Sequence, residues 1–315
     1  MLRKFRKSRA SDVRSGLCID DARIAIAVVQ QVDGDKPALS ACAFRASGHD
    51  SDWRQRAETR IKGGDLRHSP VSAVMAAGTY NMLLVETPNV PAEEITSAVR
   101  WRIKDLIEYP IDDTVIEMLD MPEQANPGHK PMNYAVVTQK ATVQEQVDTV
   151  VNSSLSMDVI DIPELCIRNI AVSLPNYNSG LAFLHFTENQ GFLTITRDGL
   201  LYLVRRIEIG RSSLDSTTAD AEAIREAVSK IALELQRSLD YYESHYDCPP
   251  IRQLLLGPGA GLNNLPEALN AELGLAVGTL DLAELFDIQT PISVEEQGNC
   301  LLAIGAALRS NQAAA

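Results

Sequence analysis

Apolar and polar positions along the chain switch repeatedly between strand and helix patterns. Residues 16–30 read as two short strands around a turn at Asp20 and Asp21, and residues 38–46 as a third strand. A helix is predicted over 53–61, with Gly63 and Gly64 after it. Residues 82–86 form a strand that Thr87 and Pro88 end. Pro91 then opens a helix at its first turn, where a missing N–H costs little. Ile95, Val99, Ile103 and Leu106 share one face of that helix, and Pro110 stops it. Strands over 114–119 and 132–138 flank a Pro- and Gly-rich hairpin connection, followed by a helix over 143–155 and a strand at 159–160.

The second half repeats the theme. Strands over 181–186, 191–197 and 200–207 form a meander turned at Asp198 and Gly199. A long helix covers 219–246, with Ile224, Val228, Ile231, Leu235, Leu239 and Tyr242 on its apolar face, and Pro249 and Pro250 end it. The clearest stretch follows, over 251–277. A continuous apolar run up to Leu256 reads as a strand covered on both faces. A turn rich in glycine (Gly257, Gly259, Gly261) leads into a helix with Leu262, Leu265, Leu269 and Leu273 on one face. Gly274 stops that helix, and another strand begins. A last helix covers 295–309. Both halves open with three adjacent strands and later use helices. This suggests a duplicated, two-lobed α/β fold with a nucleotide cleft between the lobes. A glycine turn between strand and helix lets backbone N–H groups approach an anion, although such turns are also plain tight connections.

Composition narrows the function classes. The chain has 315 residues, 45% of them hydrophobic, enough for a sizeable core. No apolar run approaches the ~20 residues that span a bilayer, and no apolar stretch follows the basic start, so no signal peptide is expected. The 5 cysteines are scattered without metal spacing, as in a reducing cytosol. A net charge of −13 excludes nucleic-acid binding by the body of the chain. Arg3, Lys4, Arg6, Lys7, Arg9 and Arg14 concentrate positive charge in residues 1–14. That segment reads as a solvated, disordered tail, with contact to anionic lipid as the functional alternative.

Three stretches carry a family resemblance. They are Val99-Arg-Trp-Arg-Ile-Lys-Asp-Leu-Ile-Glu-Tyr-Pro-Ile-Asp112, Leu233-Glu-Leu-Gln-Arg-Ser-Leu-Asp-Tyr-Tyr-Glu-Ser244 and Asn299-Cys-Leu-Leu-Ala-Ile-Gly-Ala-Ala-Leu-Arg309. With the order of elements, they resemble the actin-like ATPase superfamily, and within it the PilM family of type IV pilus assembly. The Lys104-Asp105-Leu106-Ile107 form is most similar to MshI-like members, the PilM counterparts of the mannose-sensitive haemagglutinin (MSHA) pilus system. The resemblance runs from about Ser15 to Arg309.

The resemblance implies a two-lobed actin-like (ribonuclease-H-like duplicated) α/β fold with an inserted α+β subdomain. Residues 15–79, 156–178 and 295–310 would form the base of the first lobe, and 80–155 an inserted peptide-binding subdomain. Residues 179–211 and 252–294 would form the base of the second lobe, and 212–251 its outer subdomain. The implied role is a cytoplasmic scaffold at the cytosolic face of the inner membrane. It would dock the N-terminal cytosolic peptide of a PilN- or MshJ-like inner-membrane protein. The alternatives are an active ATPase of the same superfamily and an FtsA-like filament former. FtsA-like proteins usually carry a C-terminal amphipathic membrane helix, whereas residues 311–315 read Asn-Gln-Ala-Ala-Ala.

Departures from the family pattern bear on the chemistry. The superfamily's cofactor would be ATP with Mg²⁺. Its first phosphate loop needs an acid where Cys18 stands and a glycine where Asp20 stands. The acidic and glycine positions of the second loop fall on His185 and Thr187. Phosphoryl transfer depends on positioning and on charge neutralisation by metal and donors, and these changes remove both. No catalytic residue and no metal site are therefore expected, and ATP binding should be weak or absent. The adenosine side is better kept. Gly257, Gly259 and Ala260 match the family's glycine motif, and Glu234, Arg237 and Ser238 match the helix face that holds purine and ribose. A solvated face with a Glu–Arg pair is the alternative reading of that helix. For the partner groove, Trp101 lies off the apolar stripe of its helix, so Arg100, Trp101, Lys104 and Tyr109 are the candidate contacts.

Overall fold

The computed structural model describes residues 13–20, 23–32, 36–46, 69–122, 131–152, 155–175, 177–216, 219–259, 262 and 264–309. The basic segment up to residue 12 and the helix expected over 53–61 lie outside them.

The chain opens with β1 (Val13–Ile19), β2 (Arg23–Gln30) and β3 (Ala38–Ala46), followed by β4 (Pro70–Val74). β5 (Tyr80–Glu86), α1 (Ile95–Ile103), β6 (Thr114–Leu119), β7 (Met132–Gln139) and α2 (Lys140–Asn152) intervene before β8 (Ser156–Asp161) and α3 (Pro163–Ser173). The second half runs β9 (Leu181–Phe186), β10 (Gly191–Arg197), β11 (Leu200–Ile207), α4 (Ala221–His245) and β12 (Gln253–Leu256). It closes with α5 (Leu265–Leu273), β13 (Ala276–Thr279), α6 (Leu282–Leu285), β14 (Asp287–Ile288) and α7 (Val294–Ala307).

Two sheets share one topology. In the 6-stranded sheet the order is β14-β3-β2-β1-β4-β8, and in the 5-stranded sheet β11-β10-β9-β12-β13. In each, the first strand pairs antiparallel with the second and parallel with the fourth. The sequence repeat of strand triplets is therefore a structural duplication. A separate 3-stranded sheet, β5-β7-β6, carries α1 on one face.

Period-two alternation explains the layering. On β9, Leu181 and Phe183 face α3 and α7, while Ala182, Leu184 and Phe186 face α4 and α5. On the first sheet, Cys18, Ala25, Ala27 and Val29 face the same two helices. Leu17, Ile26, Val28, Val71 and Ala73 meet Val150 of α2 on the far side. Thus α3 and α7 form the layer shared by both sheets. Burial on both faces leaves every residue of β9 buried, all of them apolar except His185. Close approach makes glycine obligatory on either side of α7. A Cβ on Gly16 would lie 1.8 Å from the Ala303 carbonyl oxygen, and one on Gly305 would lie 2.2 Å from that of Cys166.

Several expectations are corrected. The α-helix of the insert ends at Ile103, and a 3₁₀ turn over Lys104–Leu106 swings Leu106 outward to 63% exposure instead of into the core. α3 is absent from the periodicity reading because it is buried nearly all round. Glu164 and Asn169 fall among its buried positions and break the amphipathic pattern. β14 pairs with β3, so residues 287–288 belong to the first sheet, although 252–294 was expected in the second lobe. Gly274 adopts the left-handed conformation at the end of α5, as expected of a helix stop. Among the described residues no helix is long and apolar enough to cross a membrane.

Candidate functional site

The turns after β1 and β9 are equivalent in the duplication, and both open onto one cleft of about 480 Å³. In the first turn, Asp20 accepts hydrogen bonds from the backbone N–H of Arg23 (2.8 Å) and from its Nε (3.2 Å). This fixes the direction of the Arg23 side chain. In the second, Thr187 closes the turn by donating its N–H to the Gln190 carbonyl at 2.8 Å. Residues after β11 are stitched to that turn: Arg211 N–H donates to the Thr187 carbonyl at 3.0 Å, and Ser212 N–H to that of Glu188 at 3.1 Å. α7 supplies Asn299, whose Nδ2 donates to the Glu295 carbonyl at 3.0 Å, so its Oδ1 faces the cleft.

The two lobes meet at that oxygen. Arg23 Nη1 reaches Asn299 Oδ1 at 3.0 Å, and Arg211 Nη2 reaches it at 2.9 Å. Arg23 is 5% exposed, and its Nη2 meets no acceptor among the described residues. Burial, then the neighbouring Arg23, push the Arg211 guanidinium below its ordinary value, with Glu188, Glu295 and Asp20 acting against them. His185 is fully buried close by, and neither ring nitrogen has a partner among the described residues. Burial first, then Arg23 and Arg211, hold its imidazole well below 6.5, so the ring is neutral. Burial pushes the Cys18 thiol up to about 11, so it offers no anionic ligand at neutral pH. Among the described residues no cluster of His, Cys, Asp and Glu is placed to hold a metal ion. The cleft can grip negative charge through guanidinium groups. Among the described residues no acid–His–nucleophile set accompanies it.

No family model matches the chain, and no curated protein matches it in sequence. Among solved structures it is similar to one described as a PilM-PilN type IV pilus biogenesis complex. The TM-score is 0.71 and the identity 19%, over 94% of this chain and 97% of that one. It is also similar to the cytoplasmic domain of EpsL, an inner membrane component of the type II secretion system of Vibrio cholerae. There the TM-score is 0.51 and the identity 10%, over 95% and 96% of the two chains. The chain has the two-lobed actin-like fold.

Within this actin-like frame, the residues singled out from sequence fall in different places. None of Gly257, Gly259, Glu234, Arg237 and Ser238 lines the cleft, and Ala260 lies outside the described residues. The glycine turn packs under α7. A Cβ on Gly298 would lie 2.4 Å from the Pro258 carbonyl oxygen, and one on Gly257 would lie 2.7 Å from His185 Nδ1. Glu234 pairs with Arg205 (2.7 Å) and Arg237 (2.9 Å), and the buried Ser238 donates to the Glu234 carbonyl at 2.6 Å. On the insert, Trp101 is 72% exposed and Lys104 is exposed. Arg100 donates to the Ile111 carbonyl at 2.7 Å, and Tyr109 packs half-buried against the core of the insert. Sequence reasoning missed Arg23, Arg211 and Asn299 as a set. The available signal was a lone arginine at the start of an otherwise apolar strand.

Proposed function

We propose that this chain is a non-catalytic, actin-like scaffold of a type IV pilus assembly platform, of the MSHA type. It works in the cytoplasm at the face of the inner membrane and docks the N-terminal cytosolic peptide of a PilN- or MshJ-like membrane protein. The observation that carries this reading is the likeness over 94% of the chain to a PilM solved together with PilN. The chemistry of the cleft supports the non-catalytic part. Phosphoryl transfer needs a metal and its anionic ligands, and a neutral, buried Cys18 stands where the first ligand would be.

In this reading the insert offers the docking surface. Trp101 and Leu106 stand out from the end of α1 beside the exposed Lys104. Exposed aromatic residues flanked by a cation are typical anchors for a peptide with apolar and acidic positions. The test is a calorimetric titration with the cytosolic peptide of the PilN-like protein from the same organism, alongside an ATPase assay. Binding without turnover supports the scaffold. Absence of binding with sustained ATP hydrolysis points to an enzyme.

A further inference from the structure

We propose that Cys42 of β3 and Cys300 of α7 are an oxidisable thiol pair, which a hydroperoxide converts into a disulfide joining the first sheet to the helix layer shared by both sheets. Cys42 lies opposite Ala27 in the register of β2 and β3, and both side chains face the cluster that contains α7. The Cys42 thiol donates to the Glu296 carbonyl of α7 at 3.7 Å. Cys300 stands one turn further along that helix, and its side chain hydrogen-bonds to that of Cys42. Thiols in such contact bring their Cβ atoms near the separation that a disulfide needs. Access is one-sided. Cys300 is fully buried, whereas Cys42 is partly exposed and lines a cavity of about 240 Å³ between β3 and residues 290–292. Beyond Leu39 the outer edge of β3 has no strand partner among the described residues, so a small oxidant can reach Cys42 from that side.

The placement assigns the two roles. Cys42 is the attacking thiol, because it alone of the pair meets the cavity. Its sulfur takes one oxygen of hydrogen peroxide, the O–O bond breaks, and the other oxygen leaves as water, giving a sulfenic acid. The Cys300 thiol then attacks that sulfur. The S–S bond forms, the S–O bond breaks, and a second water leaves. Two thiols lose two electrons and two protons, and the peroxide takes up both. Hydrogen bonding to Cys42, then burial, holds the Cys300 thiol well above its ordinary value, which suits the resolving partner and not the attacker. The other cysteines are placed differently. Cys18 and Cys166 are buried where an oxidant does not reach, and Cys248 packs in the other cluster beside Tyr202. The bridge closes most of the chain into one loop, so the oxidised form is the more stable.

Treatment of the full, folded chain with hydrogen peroxide at neutral pH, followed by alkylation and peptide mass mapping without reductant, tests the pair. A cross-linked peptide joining Cys42 to Cys300 is expected, together with a raised melting temperature. Dithiothreitol should reverse both. Cys300→Ala removes the resolving thiol, so no cross-link should form and Cys42 should go on to sulfinic acid. Cys42→Ser changes a partly exposed position and should keep the melting curve of the reduced wild type, while peroxide leaves Cys300 unmodified. Three results would each overturn the proposal. One is a folded wild type without the cross-link. Another is Cys42 paired with a different cysteine or with a second copy of the chain. The third is a cross-link that leaves the melting temperature unchanged.

Discussion

Arg206 of β11 donates both Nε and Nη2 to one carboxylate oxygen of Glu164 on α3, at 3.2 and 3.1 Å. The other oxygen accepts the hydroxyl of Tyr80, the first residue of the insert's first strand, and the Arg206 guanidinium lies 4.4 Å from the centre of the Tyr80 ring. Glu164 is fully buried, so one carboxylate ties the insert, the shared helix layer and the second lobe together. Removing one partner leaves a buried charge uncompensated. Arg206→Met should cost about 3–5 kcal/mol, read from urea unfolding. The double variant Glu164→Leu/Arg206→Met should recover most of that loss, since no charge is then left buried. Equal and additive losses from the two single changes would contradict this reading.

His185 predicts a pH dependence. Its folded-state pKa lies well below the ordinary 6.5, because of burial and then the two arginines. Below pH 6.5 the unfolded chain takes up a proton that the folded chain refuses. Stability from this group is therefore complete above 6.5 and falls as pH drops, by about 1.4 kcal/mol per unit until the folded pKa is reached. Unfolding midpoints of the wild type and of His185→Leu, followed from pH 7 down to about 5, should diverge. The wild type should lose stability faster.

Thiol reactivity follows burial. Cys18, Cys166 and Cys300 are buried, and all three thiols sit above their ordinary value, Cys18 at about 11. Cys42 and Cys248 are partly exposed. Alkylation of the folded protein at mildly alkaline pH, read by peptide mass mapping, should label Cys42 and Cys248 and spare the other three. Those three should react only once the chain unfolds.

Much of the fold was legible because the sheets obey simple periods. The meander over 181–207 alternates or runs apolar as a buried strand must, and its turn at Asp198 and Gly199 has positive φ at both residues. α3 was not legible, because its buried Glu164 is satisfied by Arg206 and Tyr80 and its buried Asn169 donates to the Gly305 carbonyl, partners that are remote in sequence. The candidate site failed in the same way. Arg23 and Asn299 are partners across 276 positions, and no local pattern joins them. The glycine turn at 257–259 was readable as a turn. That its glycines serve contact with His185 and α7 depends on tertiary packing alone.

Trp101 is the residue on which the docking surface stands or falls. At 72% exposure it contributes little to the core, so Trp101→Ala should leave the melting curve unchanged. If Trp101 anchors the partner, the same change should weaken peptide binding by about 2 kcal/mol or more. Equal affinity for variant and wild type would remove Trp101 from the interface.

The scaffold itself is tested most directly by titrating the N-terminal cytosolic peptide of the PilN-like inner-membrane protein into the full wild-type chain, with and without Mg-ATP. The account predicts saturable binding of equal strength in both conditions, with no nucleotide turnover. A chain that does not bind the peptide in either condition would contradict it.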